Sequence, residues 1–111
     1  MSIHYLALSR KPFSKIKTGK KTIESRLFDG KRREIKVGDE IEFGCEGKSG
    51  EKIVVKVVGL YRFKSFKELF SVFEVEKFGG ESVKELLAEI RQFYSKEDEM
   101  KWGVLGIEIE K

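Results

Sequence analysis

The order of predicted elements points to an α+β fold: a small mixed β-barrel of about five or six strands with two or three helices packed outside. Three observations lead there. Apolar residues alternate with period two in several segments, whereas helical spacing is found in one short N-terminal stretch and in a block between residues 65 and 98. Both ends of the chain read as strands, on either side of that helical block, which suggests a closed or nearly closed sheet in which the first and last strands can pair. Gly59 interrupts the longest apolar run, as a bulge or bend does at a barrel corner.

Residues 2–8 are apolar and β-prone and form the first strand. Ser9 can cap a short helix with Pro12 in its first turn, where a missing N–H costs nothing. Phe13 and Ile16 make its buried face, and Gly19 ends it. Residues 20–28 read as a second strand, and Asp29-Gly30 as a turn. Residues 31–37 are basic, irregular or a single helical turn, with Ile35 and Val37 inward; Gly38-Asp39 turns the chain again.

In residues 39–46, Ile41, Phe43 and Cys45 share one face and Glu40, Glu42 and Glu46 tend to the other. Gly47-Lys48-Ser49-Gly50 is a hairpin loop. Residues 51–61 form a long strand, apolar enough to be central and covered on both faces. Ser65 with Glu68, and Ser82 with Glu85, have capping-box spacing. They start helices whose buried faces are Phe66, Leu69, Phe70 and Phe73 in one, and Val83, Leu86, Leu87 and Ile90 in the other. Ser95 with Asp98 starts a third short turn. Residues 103–110 are the last strand, with Leu105, Ile107 and Ile109 inward.

The 111 residues fit one domain, 1–111. Hydrophobic residues make up 40% and aromatics 12%, which excludes a disordered tail. Charged residues reach 38%, a proportion that suits a thermophile's ion-pair networks. The net charge of +4 permits contact with nucleic acid without demanding it. Its distribution says more, because Lys11, Lys15, Lys17, Lys20, Lys21, Lys31, Arg32 and Arg33 gather in the N-terminal third. A lone cysteine cannot form an internal disulfide, and no apolar run is long enough for a membrane span, so a cytoplasmic protein with no membrane association is expected. One His and one Cys offer no zinc-ligand cluster, and no phosphate loop precedes a helix; neither metal nor cofactor is expected. His4 reads as an exposed or hydrogen-bonded strand residue and Cys45 as a buried structural thiol.

The stretch GKKTIESR, residues 19–26, remains to be explained. Glu24 and Arg26 are two apart in a strand, so they project from the same face and can pair. Lys21 at the strand mouth can join them. Such a trio can bind an anion, read a nucleobase edge, or tune a lysine for base chemistry; it can equally be a surface ion-pair ladder.

In this context Gly19-x-Lys21-x-x-Glu24-x-Arg26 resembles the G-x-K-x-x-E-x-R signature of the ASCH domain family, which has a PUA-like β-barrel. The turn Val37-Gly38-Asp39 and the passage from Val57 to Leu69, which reads V-x-G-L-x-x-F-x-S-F-x-E-L, are similar too, so the likeness spans nearly the whole chain. It implies a basic cleft between barrel and helices that binds RNA or a nucleoside- or nucleotide-like ligand through Lys21, Glu24 and Arg26. Arg10, Lys11, Tyr61 and Lys64 lie near such a cleft, with Tyr61 either stacking on a base or serving as an ordinary core aromatic. Trp102 seals a barrel end. One branch of the family comprises small amidohydrolases that deacetylate N4-acetylcytidine with a Lys, a Thr and a Glu. Lys21 matches the Lys. Glu24 occupies the Thr position, Thr22 lies beside Lys21 out of register, and the third member falls near Glu74 or Glu76. The likeness thus implies RNA- or nucleotide-type binding, with an amidohydrolase acting on N-acylated nucleosides as the alternative. Barrels of this kind also serve as protein-docking modules.

Overall fold

The computed structural model describes residues 2–47 and 50–111. The hairpin loop predicted at residues 47–50 therefore lies partly outside the described residues. Five strands and four α-helices follow in the order β1 (Ile3–Leu8), α1 (Arg10–Lys17), β2 (Ile23–Leu27), β3 (Glu40–Cys45), β4 (Lys52–Phe63), α2 (Phe66–Val72), α3 (Val83–Ile90), α4 (Lys96–Trp102) and β5 (Val104–Glu110). Two short 3-10 helices, Arg32–Glu34 and Val75–Phe78, lie in the connections.

The strands form one mixed sheet in the order β1-β3-β4-β5-β2. β1 runs parallel to β3, and the other neighbours are antiparallel. The sheet curls into a half-barrel, but the expected pairing of first and last strands does not form: β5 pairs with β4 and β2, leaving β1 and β2 as the two edges. The physical reason lies in α1, which carries the chain away from β1 before β2 begins, so β1 docks alongside β3 instead of the last strand.

Two apolar clusters hold this arrangement. The first, on the concave side, joins Leu6, Leu8, Ile41, Phe43, Val55, Val57, Leu105, Ile107 and Ile109 from the sheet to Phe13 and Ile16 of α1. The second packs Phe66, Leu69 and Phe70 of α2 and Leu86 of α3 against Ile23, Leu27 and Val104. Strands β2 and β5 are thus covered on both faces. Strand β4, predicted to be doubly covered, is central but buried on one face only, with Val54 and Val58 exposed on the other. The helices are too few to cover that part of the sheet.

Local signals account for most boundaries. α1 ends in a Schellman motif: Gly19, at φ +81°, donates to the Ile16 carbonyl and Lys20 to that of Lys15. Ser9 sits at the N-cap without a side-chain bond. Ser65 and Ser82 accept from the N–H of Glu68 and Glu85, but neither glutamate side chain accepts from the backbone N–H of its cap residue; among the described residues the reciprocal capping box forms only between Ser95 and Asp98. Ile35 is buried as expected, whereas Val37 is 62% exposed because the Gly38-Asp39 turn lifts it off the barrel. The register of β4 against β5 shifts between Val57 and Gly59. A Cβ at Gly59 would stand 2.8 Å from both the Glu108 carboxylate and the Tyr61 hydroxyl, so a larger residue there would displace that pair.

Candidate ligand-binding cleft

The open seam between the two edge strands is a cleft of about 700 Å³. Its walls are Leu6, Ala7 and Leu8 of β1, Glu24, Ser25 and Arg26 of β2, the start of α1 at Ser9, Lys11 and Pro12, and Glu89 and Ile90 at the end of α3 with Gln92, Phe93 and Tyr94 after it. The size falls in the range of small-molecule sites, about 300–1,000 Å³. Five cations (Lys11, Lys21, Arg26, Lys31, Arg32) and three carboxylates (Glu24, Glu46, Glu89) line it, leaving it positive.

At its floor the sequence motif assembles. Inward-facing positions of β2 alternate with those packed on the helices: Ile23 and Leu27 join the helical cluster, while Glu24 and Arg26 face the concave side with their partners Ile107 and Leu105. Glu24, 4% exposed, accepts from the Arg26 Nε at 2.7 Å and lies 3.0 Å from the Lys21 Nζ. Burial pushes the Glu24 carboxyl up, but Lys21 and Arg26 together outweigh it and hold the group at about 2. Burial likewise opposes the charge on Arg26, and Glu24 with Tyr94 overcomes it and raises the guanidinium above its ordinary value.

Arg26 also donates to the Ala7 carbonyl at 2.8 Å, and Lys31 to that of Tyr5 at 2.7 Å. Both carbonyls belong to the free edge of β1, so cations satisfy polar groups that a closed barrel would have paired with a strand. The seam is therefore held open by side chains, with Arg26 bridging β2 to β1. Lys21 is positioned through α1: Lys20 and Lys21 both donate to the Lys15 carbonyl, and the Lys15 ammonium donates to Gly79. Gly79 admits this approach, because a Cβ there would stand 2.9 Å from Lys15 and 3.3 Å from Lys21. Across the rim, Lys11 of α1 faces Glu89 of α3 at 3.7 Å.

Of the residues singled out in the sequence, Lys21, Glu24, Arg26 and Lys11 line the cleft. Arg10 and Lys64 are exposed and are not among its lining residues. Tyr61 stands outside the cleft lining, bonded to Glu108 at 2.8 Å and edge-on to Phe73 at 4.8 Å. The hydrogen bond to Glu108 pushes the pKa of the Tyr61 phenol above its ordinary value. Glu74 and Glu76 are exposed and do not line the cleft. Trp102 packs at the border of the helical cluster. His4 bonds Asp39 at 2.8 Å, and Cys45 is buried.

Sequence reasoning missed the wall formed by residues 89–94. Tyr94 stacks on Phe66 at 5.8 Å and makes a long contact with Arg32, and Phe93 is 62% exposed. The run Gln92-Phe93-Tyr94 just past an amphipathic helix was the available signal. Glu99 was also missed: buried in α4, it accepts from the Phe66 N–H that opens α2 and from Arg91, and so fixes the three later helices to one another. Among the described residues no group of three or more His, Cys, Asp and Glu could hold a metal ion, and no helix is long and apolar enough to cross a membrane.

Comparison with known proteins places this architecture. The crystal structure of hypothetical protein PH0355 is 43% identical, with a TM-score of 0.86 over 99% of this chain and 98% of that one. The solution structure of protein PF0455 from Pyrococcus furiosus is 38% identical, with a TM-score of 0.75 over 97% and 96%. A mutant form of ZmASCH from Zymomonas mobilis is only 12% identical but has a TM-score of 0.72 over 98% of this chain and 69% of that one, so it shares the PUA-like fold. No curated protein sequence matches. The ASCH domain signature itself matches residues 6–111, so the chain belongs to the ASCH domain family.

Proposed function

We propose that the cleft binds RNA or a nucleotide-type ligand. The observation that carries this reading is the Lys21–Glu24–Arg26 cluster, its carboxylate buried and its cations largely so, at the floor of an open, positive cleft. Burying three charges costs more than filling the same space with apolar side chains, so stability alone gives no reason for them. Glu24 accepts from Lys21, Arg26 and the Ser25 N–H and serves as the anchor of the two cations. The ion pair uses one donor of the Lys21 ammonium, and the remaining donors are available to an acceptor such as a phosphate or a base carbonyl. Cations below and an exposed aromatic, Phe93, on the wall form the combination that suits a phosphate and a base together.

No observation favours the amidohydrolase alternative. A carboxylate held at about 2 is a weak base near neutral pH, and Glu24 stands where that branch has its Thr. Glu74 and Glu76 are on the surface away from the cleft lining.

The test is an NMR titration of the wild type, Lys21→Arg and Lys21→Ala with cytidine 5′-monophosphate and a short single-stranded RNA. Amides of β1, β2 and residues 89–94 should shift, with affinity falling as salt rises. Lys21→Arg should retain much of the binding and Lys21→Ala should lose it, because the contact needs a cation and not a titrating group. Absence of any shift at low salt would overturn the reading. Acetate release from N4-acetylcytidine by the wild type, abolished in both variants, would put the hydrolase in its place.

A further inference from the structure

Beside the cleft but outside its lining, Phe28 carries two guanidiniums. That of Arg33 lies 4.6 Å and that of Arg62 4.0 Å from the ring centroid, both within the reach at which an aromatic face attracts a cation. The two charges are therefore no farther apart than the sum of these distances, and they repel. Their neighbours are neutralised: Arg32 pairs with Asp29 at 2.6 Å and Arg26 with Glu24. Among the described residues no hydrogen bond or ion pair engages the guanidinium of Arg33 or Arg62, and both residues are exposed. Two like charges gathered on one ring without a carboxylate make a site that an anion would complete.

Its position ties it to the cleft. Arg26, Leu105 and Arg62 are successive partners across β2, β5 and β4, so they project from the same concave face. Two strand spacings separate Arg26 from Arg62, about 10 Å. Arg33 follows Arg32, which lines the cleft wall. A strand leaving the cleft past Arg26 and Arg32 meets the two arginines after about three stacked nucleotides, or fewer if it is extended. Phe28 packs against the barrel core on one side and holds guanidiniums over its ring, so it is not free to stack a base. The groups on offer are guanidinium forks, which match phosphate oxygens.

We propose that Arg33 and Arg62, mounted on Phe28, form a second phosphate-binding subsite for the backbone of a single-stranded oligonucleotide, one nucleotide of which occupies the cleft. The inference rests on the cleft being a nucleotide site and adds that the ligand is an oligomer. The experiment measures binding of uridine 5′-monophosphate and of tetrauridylate to the wild type, to the double variant Arg33→Gln/Arg62→Gln, and to Lys21→Ala. The double variant should bind tetrauridylate about tenfold more weakly, with the slope of log affinity against log salt reduced by about 1.4 for two lost contacts, and should bind the monophosphate unchanged. Wild-type affinity for tetrauridylate in the double variant would overturn the subsite while leaving the cleft intact if Lys21→Ala loses both ligands. Equal losses of both ligands in the double variant would also overturn it, since the arginines would then act on the cleft itself. If neither ligand binds the wild type, the cleft reading falls and the subsite falls with it.

Discussion

Replacing Glu24 with Gln isolates the ion-pair cluster more cleanly than any other substitution. Gln has the shape of a protonated Glu, so the variant is a wild type whose carboxyl never ionises. In the folded protein Glu24 titrates at about 2 instead of 4.5. At about 1.4 kcal/mol per factor of ten, its ionisation contributes roughly 3 kcal/mol of stability at neutral pH. The folded value is depressed, so this stability is present above the unfolded value, near 4.5, and is lost as pH falls toward about 2. Urea denaturation followed by circular dichroism from pH 7 to pH 2 should show the wild type more stable by roughly 3 kcal/mol at pH 7, with about half of that gap gone by pH 3 and the two curves converging near pH 2. Using the difference between the two proteins matters, because Asp39 is also depressed to about 2, by the His4 side chain first and by the Ser2 and Lys36 amides, and titrates in the same window. Its contribution cancels. A gap that stays constant from pH 7 to pH 2, or no gap at all, would refute the account of Glu24 as a buried carboxylate held ionised by Lys21 and Arg26.

Arg26→Ala should lower stability by about 2 kcal/mol in thermal or urea melts, less than a fully orphaned buried charge would cost because Lys21 remains beside Glu24. Arg26→Lys should recover only part of this, since an ammonium lacks the fork that reaches Glu24 and the Ala7 carbonyl together; full recovery would mean that the bridge across the seam carries no stability. Gly106→Ala should cost about 1–3 kcal/mol, because the new methyl would stand 2.7 Å from Leu69, which is fully buried and has nowhere to move. The same substitution in a Leu69→Ala background should cost much less, and equal penalties in both backgrounds would show that the contact is not the cause.

Much of this was legible in the sequence because it depends on near neighbours in the chain. The order of strands and helices followed from periodicity, the end of α1 from Gly19, the bulge in β4 from Gly59, and the pairing of Glu24 with Arg26 from their spacing of two along a strand. The buried faces of β3 and β5 were readable as well, since Ile41, Phe43 and Cys45, and Leu105, Ile107 and Ile109, alternate whatever packs upon them. A likeness carried by residues 19–26 and 57–69 pointed to the family before any geometry was known.

Local pattern could not say which elements meet. An alternating strand states that one face is buried but not how many layers cover the other, so β4 was expected to be covered twice and β2, which is, carried no apolar sign of it on the face of Glu24 and Arg26. Nor does an unpaired backbone edge leave a mark in composition. Only the folded chain sets β1 and β2 apart, lets Arg26 and Lys31 reach across to the β1 carbonyls, and brings residues 89–94 over the gap. The motif's residue types and spacing were thus determined by sequence alone. That its charges line a cleft and not a surface ladder was decided by tertiary packing: contacts between residues far apart in the chain desolvate Glu24, and a desolvated carboxylate must gather its cations around it.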